Sequence, residues 1–537
     1  MELFQLVIGL LLGAAVLTTI AQRIGIPFPV VLALGGTALA LVPNDAVSAR
    51  LDPDLALALF VAPVLLDAGF DTSLRDLRAN WRPISNLVIA AVGMTIVAVA
   101  LVAHTLVPDM PWAAAIALGA IVAPPDAVAA TSVLRQLSPP YRMLVILEGE
   151  SLLNDATALL VYRTALYALA GQITAGSVAL EFLVGSIGGV VLGYVMARLF
   201  IFLSRRLADG AVAVVMQFVG TFAVWMIAER VGASPILTVV VYAMVLARVS
   251  THQQSAEARM TSFAVWDVAI YVLNALAFIL MGLQLKEIGR NVDGRLATFA
   301  MFGIAILVTV VAVRLLWVMI YSRWVRYRLG AQVNEKTRIM PTTQGAFTIG
   351  WCGMRGIVTL ATALALPFQI NGGPFPYRDL IIAAAFTVVL GTLVIQGLTL
   401  GPLLRRFKLA DDGMVNREEV FAREEIAKAA LQALEGEERP EAQILRKEYN
   451  YRVRENIPDE ETLKPHHFGR LRLRAIHAER RALSELRRDQ KIGDAAYQTV
   501  QEELDWAEGH AAHRKKAFAA RAPDAAEDPA AGVDSSP

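Results

Sequence analysis

Acidic and amide side chains lie in the middle of an apolar stretch of this chain. Residues 142–170 read RMLVILEGESLLNDATALLVYRTALYALA, which as a helix is long enough to cross the hydrocarbon core of a bilayer. A carboxylate near the bilayer centre costs about 2.5–3.5 kcal/mol, so such residues face a cavity and mark a path for an ion or a proton. The candidate site residues are Glu148, Glu150, Ser151, Asn154 and Asp155. Helical spacing puts Glu148, Ser151 and Asp155 on one face.

A second candidate region is WAAAIALGAIVAPPDAVAATSVLRQL, residues 112–137. Pro124 and Pro125 remove backbone donors in mid-segment, which predicts that the helix breaks there. Asp126 follows at the same depth. Broken helices at that depth occur where they line a cavity, and their freed backbone groups can bind ions. The alternative interpretation is a simple kink in which Asp126 only caps the second half of the helix.

A third region, GAFTIGWCGMRGIVTLATALALP at residues 345–367, combines glycines with a buried cation. Gly350, Gly353 and Gly356 loosen its first half, although they also fit close helix packing. Arg355 lies well inside the segment and needs an acid, and Glu150 is the predicted partner. Arg163 and Arg314 lie in other apolar segments, where we expect structural salt bridges with partners that the sequence does not identify.

The composition is that of a polytopic membrane protein. Of 537 residues 56% are hydrophobic and 18% charged, and the mean hydropathy is +0.51. The net charge of +1 gives no reason to expect a nucleic-acid partner. Cys352 is the one cysteine, which excludes an internal disulfide and a cysteine-based metal site. The sequence has no P-loop or other cofactor motif, so we expect neither a cofactor nor an enzyme.

Thirteen apolar segments are separated by short polar or Pro/Gly-rich joints: 3–21, 28–42, 53–70, 83–106, 112–135, 142–170, 177–205, 211–228, 233–249, 262–283, 298–324, 343–366 and 378–400. The first is interpreted as a membrane helix rather than a signal peptide. With the seventh as a linker, two six-helix halves remain in which the fifth and twelfth segments correspond, as in inverted-repeat transporters. The sequence therefore predicts an all-α membrane protein with two inverted six-helix repeats and crossing broken helices.

Arginine and lysine concentrate in alternate loops, for example at Arg75, Arg78 and Arg82. The positive-inside rule then predicts the cytoplasmic membrane with the N-terminus outside and the C-terminal region inside, for which an odd helix count is required. We expect a transmembrane domain over residues 1–405 and a helical cytoplasmic tail over 406–522. The Ala/Asp/Pro-rich residues 523–537 are predicted to be disordered.

The sequence EGESLLNDA at residues 148–156 resembles the signature of sodium/proton exchangers in the monovalent cation:proton antiporter superfamily. Supporting matches are APPDAVA at 123–129, GMRG at 353–356 and QGLT at 396–399, and the resemblance covers roughly residues 1–405. It implies a core domain with two crossing broken helices, a dimerisation domain and a homodimer. Membrane lipid, Na⁺ or K⁺, and H⁺ are the partners that it implies.

The same resemblance implies a role for each matched residue. Asp155 would be the shared cation and proton site, with Asn154 beside it. Ser151, Asp126 and Glu150 would support the ion, and Glu150 would also pair with the arginine of the GMRG motif. One departure matters, because the family often has Thr-Asp where this chain has Pro125-Asp126. A hydroxyl that could bind the ion is missing, and Thr131 and Ser132 lie more than a turn away along the chain.

A single buried carboxylate with two competing ligands gives a mechanism. Burial disfavours the bare anion, so a proton or a monovalent cation can each neutralise Asp155, but not both together. Because either neutral form crosses and the charged form is held back, obligate exchange follows. Since Asn154 is neutral where other exchangers carry a second aspartate, the resemblance implies electroneutral exchange for pH and Na⁺ homeostasis. The alternatives are a K⁺/H⁺ antiporter, a channel, and an intramembrane aspartyl protease, although Asp126 and Asp155 lack the flanking residues of such proteases.

Overall fold

The computed structural model describes residues 2–42, 55, 57–126, 130–131, 134, 139–171, 175–207, 211–253, 256–286, 296–329, 342–407, 409, 413–455, 465–489, 500, 504 and 506–508. The chain divides into two compact units, Met1–Asp412 and Gly413–Pro537. Residues 523–537, which the sequence predicts to be disordered, lie outside the described residues, as does Ser132.

The helices of the first unit follow the apolar segments. The first six are α1 (Glu2–Ile24), α2 (Phe28–Ala40), α3 (Ala62–Asp71, preceded by a π-helical turn at Leu57–Val61), α4 (Leu74–Ala79), α5 (Trp81–Ser85, continued by a π-helical turn at Asn86–Ala91) and α6 (Val92–Leu106). Next come α7 (Trp112–Val122), α8 (Tyr141–Leu169), α9 (Ala175–Leu207), α10 (Ala211–Arg230), α11 (Pro235–Gln253), α12 (Ala256–Leu283) and α13 (Leu296–Leu329). The unit ends with α14 (Thr343–Trp351), α15 (Ile357–Leu364), a two-stranded antiparallel pair of β1 (Gln369–Ile370) and β2 (Gly373–Pro374), and α16 (Arg378–Phe407).

Prolines and glycines set the helix ends. Pro111 and Pro140 immediately precede α7 and α8, and Pro235 is the first residue of α11, where the missing N–H is not needed. Gly171 and Gly232, with φ of 69° and 74°, follow the ends of α8 and α10. A left-handed residue there stops a helix, and only glycine adopts it without steric cost.

Seven of the described helices are long and apolar enough to cross a membrane: Gln5–Ile24, Trp81–Leu106, Leu183–Ser204, Val212–Arg230, Met260–Leu283, Leu296–Arg328 and Arg378–Phe407. Three shorter apolar helices are Phe28–Ala40, Trp112–Val122 and Pro235–Arg248. The expectation of an all-α polytopic membrane protein is therefore confirmed, while the count of thirteen and the inverted repeat stay predictions.

The interior of the first unit is apolar and its lateral surface is apolar as well. One interior cluster surrounds α7, in which Leu118, Ile121 and Val122 are fully buried. Large apolar side chains such as Phe202 and Met301 are nevertheless exposed along α9 and α13. An apolar surface of this extent is typical of a protein solvated by lipid rather than water.

The second unit contains the helices α17 (Met414–Ala433), α18 (Pro440–Glu455) and α19 (Pro465–Arg488). Arg446 of α18 donates hydrogen bonds to the carbonyl oxygens of Leu434 and Glu437, which ties α18 to the turn after α17. Arg480 of α19 forms an ion pair with Glu508 at 2.6 Å. The predicted division of the chain at residue 405, and the cytoplasmic location of the tail, stay predictions.

Candidate cation and proton site

Two breaks in the helices contact each other inside the first unit. The helix α7 ends at Val122, just before Pro124 and Pro125, and a non-helical stretch separates α14 from α15. The backbone N–H of Asp126 in the first break donates to the carbonyl oxygen of Met354 in the second, at 2.6 Å. The backbone groups that lose their helical partners at one break are therefore hydrogen-bonded by the other break. Backbone polar groups at membrane depth require such partners.

Arg355 closes the end of α7 rather than binding an acid. Its guanidinium is fully buried and donates from Nε to the carbonyl oxygen of Val122 at 3.0 Å and from Nη2 to that of Ala123 at 3.2 Å. A third bond goes from Nη1 to the carbonyl oxygen of Gly353. A positive charge at the C-terminal end of a helix meets the negative end of the helix dipole, so this position stabilises the break.

Asp126 lies at the N-terminal end of a helix, α15. Its carboxylate occupies the place where a Cβ on Gly356 would be, and Gly356 is the N-cap of α15. A carboxylate at a helix N-terminus meets the positive end of the dipole. The two charged residues at the breaks thus each compensate a half-helix, and Gly356 is required because any larger residue would collide with Asp126.

Glu150 forms a buried two-pronged ion pair with Arg314 of α13. The Glu150 Oε1 to Arg314 Nη1 distance is 2.5 Å and the Oε2 to Nη2 distance is 2.8 Å, with side-chain exposures of 1% and 3%. The predicted pair of Glu150 with Arg355 is therefore wrong, whereas the expected salt bridge of Arg314 is present. The physical reason is that the end of α7 already occupies Arg355, and the side chain of Arg314 fills the space beside Gly353.

Asn154 joins α8 to the first break. Its Nδ2 donates to the carbonyl oxygen of Pro125 at 3.2 Å. This hydrogen bond connects the middle of α8 to the backbone next to Asp126, and it satisfies the carbonyl group of Pro125 inside the protein. The Asn154 Oδ1 is buried and has no hydrogen-bond partner among the described residues.

A cavity of about 290 Å³ brings most of the predicted site residues together. Asp155, Ser151 and Glu148 line it from α8, and Asp126 lines it from the first break. The acidic side chains of Asp126 and Asp155 therefore share one cavity, where their like charges repel each other. Further polar lining comes from Asp67, Asp71, Thr131, Asn274 and Thr359. Among its described lining residues none is basic, so the cavity has the electrostatic character of a cation site.

Arg163 lies in a second cavity, of about 330 Å³, which follows the C-terminal half of α8. The lining of that cavity begins at Ala156, immediately after Asp155, and includes Tyr167 and also Ser234, the residue before α11. The expected salt bridge of Arg163 is not present within the described part of the chain.

A hydrogen-bond network fixes the N-terminal end of α8 outside the apolar spans. The Tyr141 hydroxyl donates to Asp76 Oδ2 at 2.9 Å, and Arg142 Nε donates to Asn80 Oδ1 at 2.8 Å. Burial raises the pKa of Asp76, but hydrogen bonds from Tyr141, Ser73 and Arg75 outweigh it, so the pKa lies below the ordinary value of 3.8. The carboxylate is consequently ionised near neutral pH and holds α8 to α4.

The transmembrane sodium/hydrogen exchanger family model matches residues 9–406. This chain belongs to the sodium/hydrogen exchanger family. It is 31% identical over 523 residues to an uncharacterized Na⁺/H⁺ exchanger of Mycobacterium tuberculosis, covering 94% of this chain and 95% of that one. It is 30% identical to the uncharacterized exchanger YjcE of Escherichia coli, covering 94% and 98%. The resemblance found in the sequence is thereby confirmed.

Another relative, from Bacillus pumilus, is named a sodium, potassium, lithium and rubidium/H⁺ antiporter and is 29% identical over 94% of this chain and 77% of its own. Among solved structures, the sodium proton antiporter MjNhaP1 of Methanocaldococcus jannaschii matches with a TM-score of 0.59 and 16% identity, covering 76% of this chain and 99% of that one. The fold of the first unit is therefore that of an antiporter. As a family member the chain is a multi-pass cation/proton antiporter.

Three residues at or near the site were predicted from the sequence only in part or not at all. Arg314 was recognised as a buried cation, but its partner depends on helix packing. Thr131 lines the cavity in spite of its distance from Pro125 along the chain. Asn274 was missed altogether. The available signal was an amide alone in the otherwise apolar stretch VLNALAFILMGL at residues 272–283.

Proposed function

We propose that this chain exchanges one Na⁺ for one H⁺ across the cytoplasmic membrane, with Asp155 binding either ion in turn. The observation that carries the proposal is that Asp155 and Asp126 line one cavity whose described lining has five carboxylates and no basic side chain: Asp67, Asp71, Asp126, Glu148 and Asp155. A site of this charge attracts cations and protons and excludes anions.

The surroundings single out Asp155 among the acids of α8. Glu150 is held by Arg314, so its charge is compensated inside the protein. Asp155 is nearly buried, and its charge meets that of Asp126 rather than an arginine. Neutralisation by a bound proton or a bound cation relieves both the desolvation and the repulsion, which supports alternation between the two ligands.

Equal stoichiometry rests on Asn154. Because this neighbour of Asp155 is neutral, Asp155 is the residue of the pair that exchanges its ligand. The site then carries the same net charge with one Na⁺ bound as with one H⁺ bound. We expect Na⁺-driven proton flux in proteoliposomes to stay unchanged when valinomycin and K⁺ clamp the membrane voltage. A flux that rises severalfold under the clamp would show that charge moves in each cycle and would contradict one-for-one exchange.

Exchange of several monovalent cations is the second candidate. The Bacillus pumilus relative, whose name includes potassium, lithium and rubidium, favours it. The oxygens around Asp155 belong to carboxylates, hydroxyls and an amide, which bind hard cations in general. Flux measured with Na⁺, Li⁺, K⁺ and Rb⁺ in turn at one pH distinguishes the two, because a sodium-selective site responds to the first two only.

Asp155→Asn tests the assignment of the site. In proteoliposomes with an internal pH dye, we expect less than about a tenth of the wild-type Na⁺-dependent proton flux, because the amide cannot bind and release a proton. Asp109→Asn, the same change at an exposed position between α6 and α7, is the matched control and should retain full flux. Normal flux in Asp155→Asn would overturn the assignment.

The proposed homodimer is checked on the same samples by mass measurement in detergent.

A further inference from the structure

Asn274 of α12 is a buried amide in the wall of the cation cavity. It is 4% exposed and lines the same cavity as Asp155, Asp126 and Ser151. Those three residues belong to α8 and the first helix break, whereas α3 and α12 supply another part of the lining. Asn274 is the amide residue that α3 and α12 together contribute to the lining of the cavity.

The oxygen of this amide has no hydrogen-bond partner within the described residues. Asn274 Oδ1 is one of seven buried side-chain oxygens in that condition among the described residues, and Asn154 Oδ1, next to Asp155, is another. Buried polar atoms in folded proteins are nearly always satisfied, so each exception requires an explanation. Because Asn274 Oδ1 is not committed to a donor among the described residues, the amide can turn this oxygen toward the cavity without breaking a hydrogen bond of the oxygen.

The chemistry favours a cation. Amide carbonyl oxygens bind hard cations, as carboxylate and water oxygens do, and rings of carbonyls replace the hydration shell of monovalent ions in channels. A rotation of the amide by half a turn about its last torsion exchanges Oδ1 and Nδ2, so the oxygen can face the cavity. Asn274 carries no charge, and its binding to Na⁺ therefore leaves the charge balance of the exchange unaltered.

Position 125 contributes no side-chain oxygen to the cavity. Pro125 is part of the lining beside Asp126, but its ring carries no polar atom. Thr131 also lines the cavity, but it already has an interaction partner. Asn274 is thus the buried neutral oxygen of the lining that remains unsatisfied.

We propose that Asn274 is a direct ligand of the transported cation, supplying from α12 the neutral oxygen that Pro125 cannot supply. This inference rests on the proposed function, because it assigns a ligand to the cation of Asp155. Proton binding does not use the Asn274 oxygen. Its loss therefore weakens cation binding selectively.

The test compares Asn274→Leu, which keeps the size and removes the oxygen, with Asn274→Gln, which keeps an uncharged amide oxygen on a side chain one methylene longer. In proteoliposomes we expect the KM for Na⁺ to rise about tenfold in Asn274→Leu. The rate at saturating Na⁺ and its pH profile should stay within about twofold of wild type. Asn274→Gln should bring the KM back to within about threefold of the wild-type value, since a neutral ligand oxygen returns.

A purely structural role predicts another pattern. It would lower the thermal stability or the saturating rate of Asn274→Leu without a selective change in KM, and that result overturns the inference. An unchanged KM in a stable Asn274→Leu protein does so as well. Should Asn274→Leu not fold, Asn274→Ser, which keeps a shorter oxygen ligand, must show an intermediate KM, and a wild-type KM there counts against the ligand.

The outcome is separable from that of the proposed function. If wild-type protein shows no Na⁺-dependent proton flux, or if Asp155→Asn retains it, the proposed function fails first. If the wild-type protein shows Na⁺-dependent proton flux, Asp155→Asn loses it, and Asn274→Leu binds Na⁺ normally, only the role of Asn274 is refuted. Titration calorimetry of Na⁺ binding to the purified full-length protein gives the same comparison without transport.

Discussion

Replacing Glu150 by glutamine removes one charge from the buried pair with Arg314 and leaves the other inside the protein. Both side chains are at most 3% exposed, and two hydrogen bonds of 2.5 and 2.8 Å join them. Removing one partner of such a pair costs about 3–5 kcal/mol, because the remaining charge stays desolvated. We expect Glu150→Gln and Arg314→Met each to lower the free energy of unfolding by this amount.

The combined variant is more informative than either single change. With both charges gone no ion is stranded, so Glu150→Gln with Arg314→Met should cost no more than one single variant. The coupling energy in the double-mutant cycle is then at least about 3 kcal/mol, which is the upper end of the values measured for residues in contact. Unfolding of detergent-purified protein by sodium dodecyl sulfate, followed by tryptophan fluorescence, gives the four free energies.

Arg355→Met is the matched control in the same cycle. Arg355 is equally buried, but its hydrogen bonds go to carbonyl oxygens at the end of α7, and it interacts with Glu150 only through its charge, so its coupling to Glu150→Gln should be well below that of Arg314→Met. Additive costs for Glu150→Gln and Arg314→Met would refute the interpretation of the pair. Strong coupling of Glu150 with Arg355 instead would restore the pairing expected from the sequence.

Three further predictions concern a helix break, a network and the tail. Gly356→Ala should abolish most proton flux, because the added Cβ collides with the carboxylate of Asp126 at the N-terminus of α15. Gly93→Ala, where the added Cβ meets open space, should keep wild-type flux in the same vesicles. Tyr141→Phe should lower the free energy of unfolding at pH 7 by about 1 kcal/mol. Folding lowers the pKa of Asp76, so this contribution is present above the unfolded value of 3.8 and is lost as the pH falls through the lower folded value. The melting curves of the two proteins should therefore converge as the pH is taken further below 3.8, and a constant difference contradicts the role of the carboxylate. Truncation after Asp412, where the two compact units meet along the chain, should preserve Na⁺-dependent flux, and its loss from a correctly inserted truncation would place the tail in the transport machinery.

The sequence allowed much of the helical arrangement to be predicted, because membrane helices must satisfy their backbone internally and so appear as long apolar runs. It also singled out the acids of α8, since charge in such a run is costly. The choice between Arg314 and Arg355 as partner of Glu150 was not available from it. Both arginines lie inside apolar segments, and which of them reaches the acid depends on how α13 and the second break pack against α8.

Asn274 shows a second limit of the sequence. A single asparagine in an apolar helix has no spacing relation to Asp155, which lies on another helix more than 100 residues earlier. Only the three-dimensional packing puts both into one cavity. Residues that come from different helices to a single ion are therefore the part of a transporter site that periodicity and local motifs predict least.

The two cavities take successive stretches of α8, the first reaching Asp155 and the second beginning at Ala156. A unit charge that crosses the whole field of a membrane changes its energy by about 2.3 kcal/mol per 100 mV. Over a full cycle, only the difference in charge between the cation-loaded and the proton-loaded states of an exchanger is moved across that field. In the proposed one-for-one exchange at Asp155 this difference is zero, so the membrane voltage would neither drive nor oppose the exchange, and the two concentration gradients alone would set its direction.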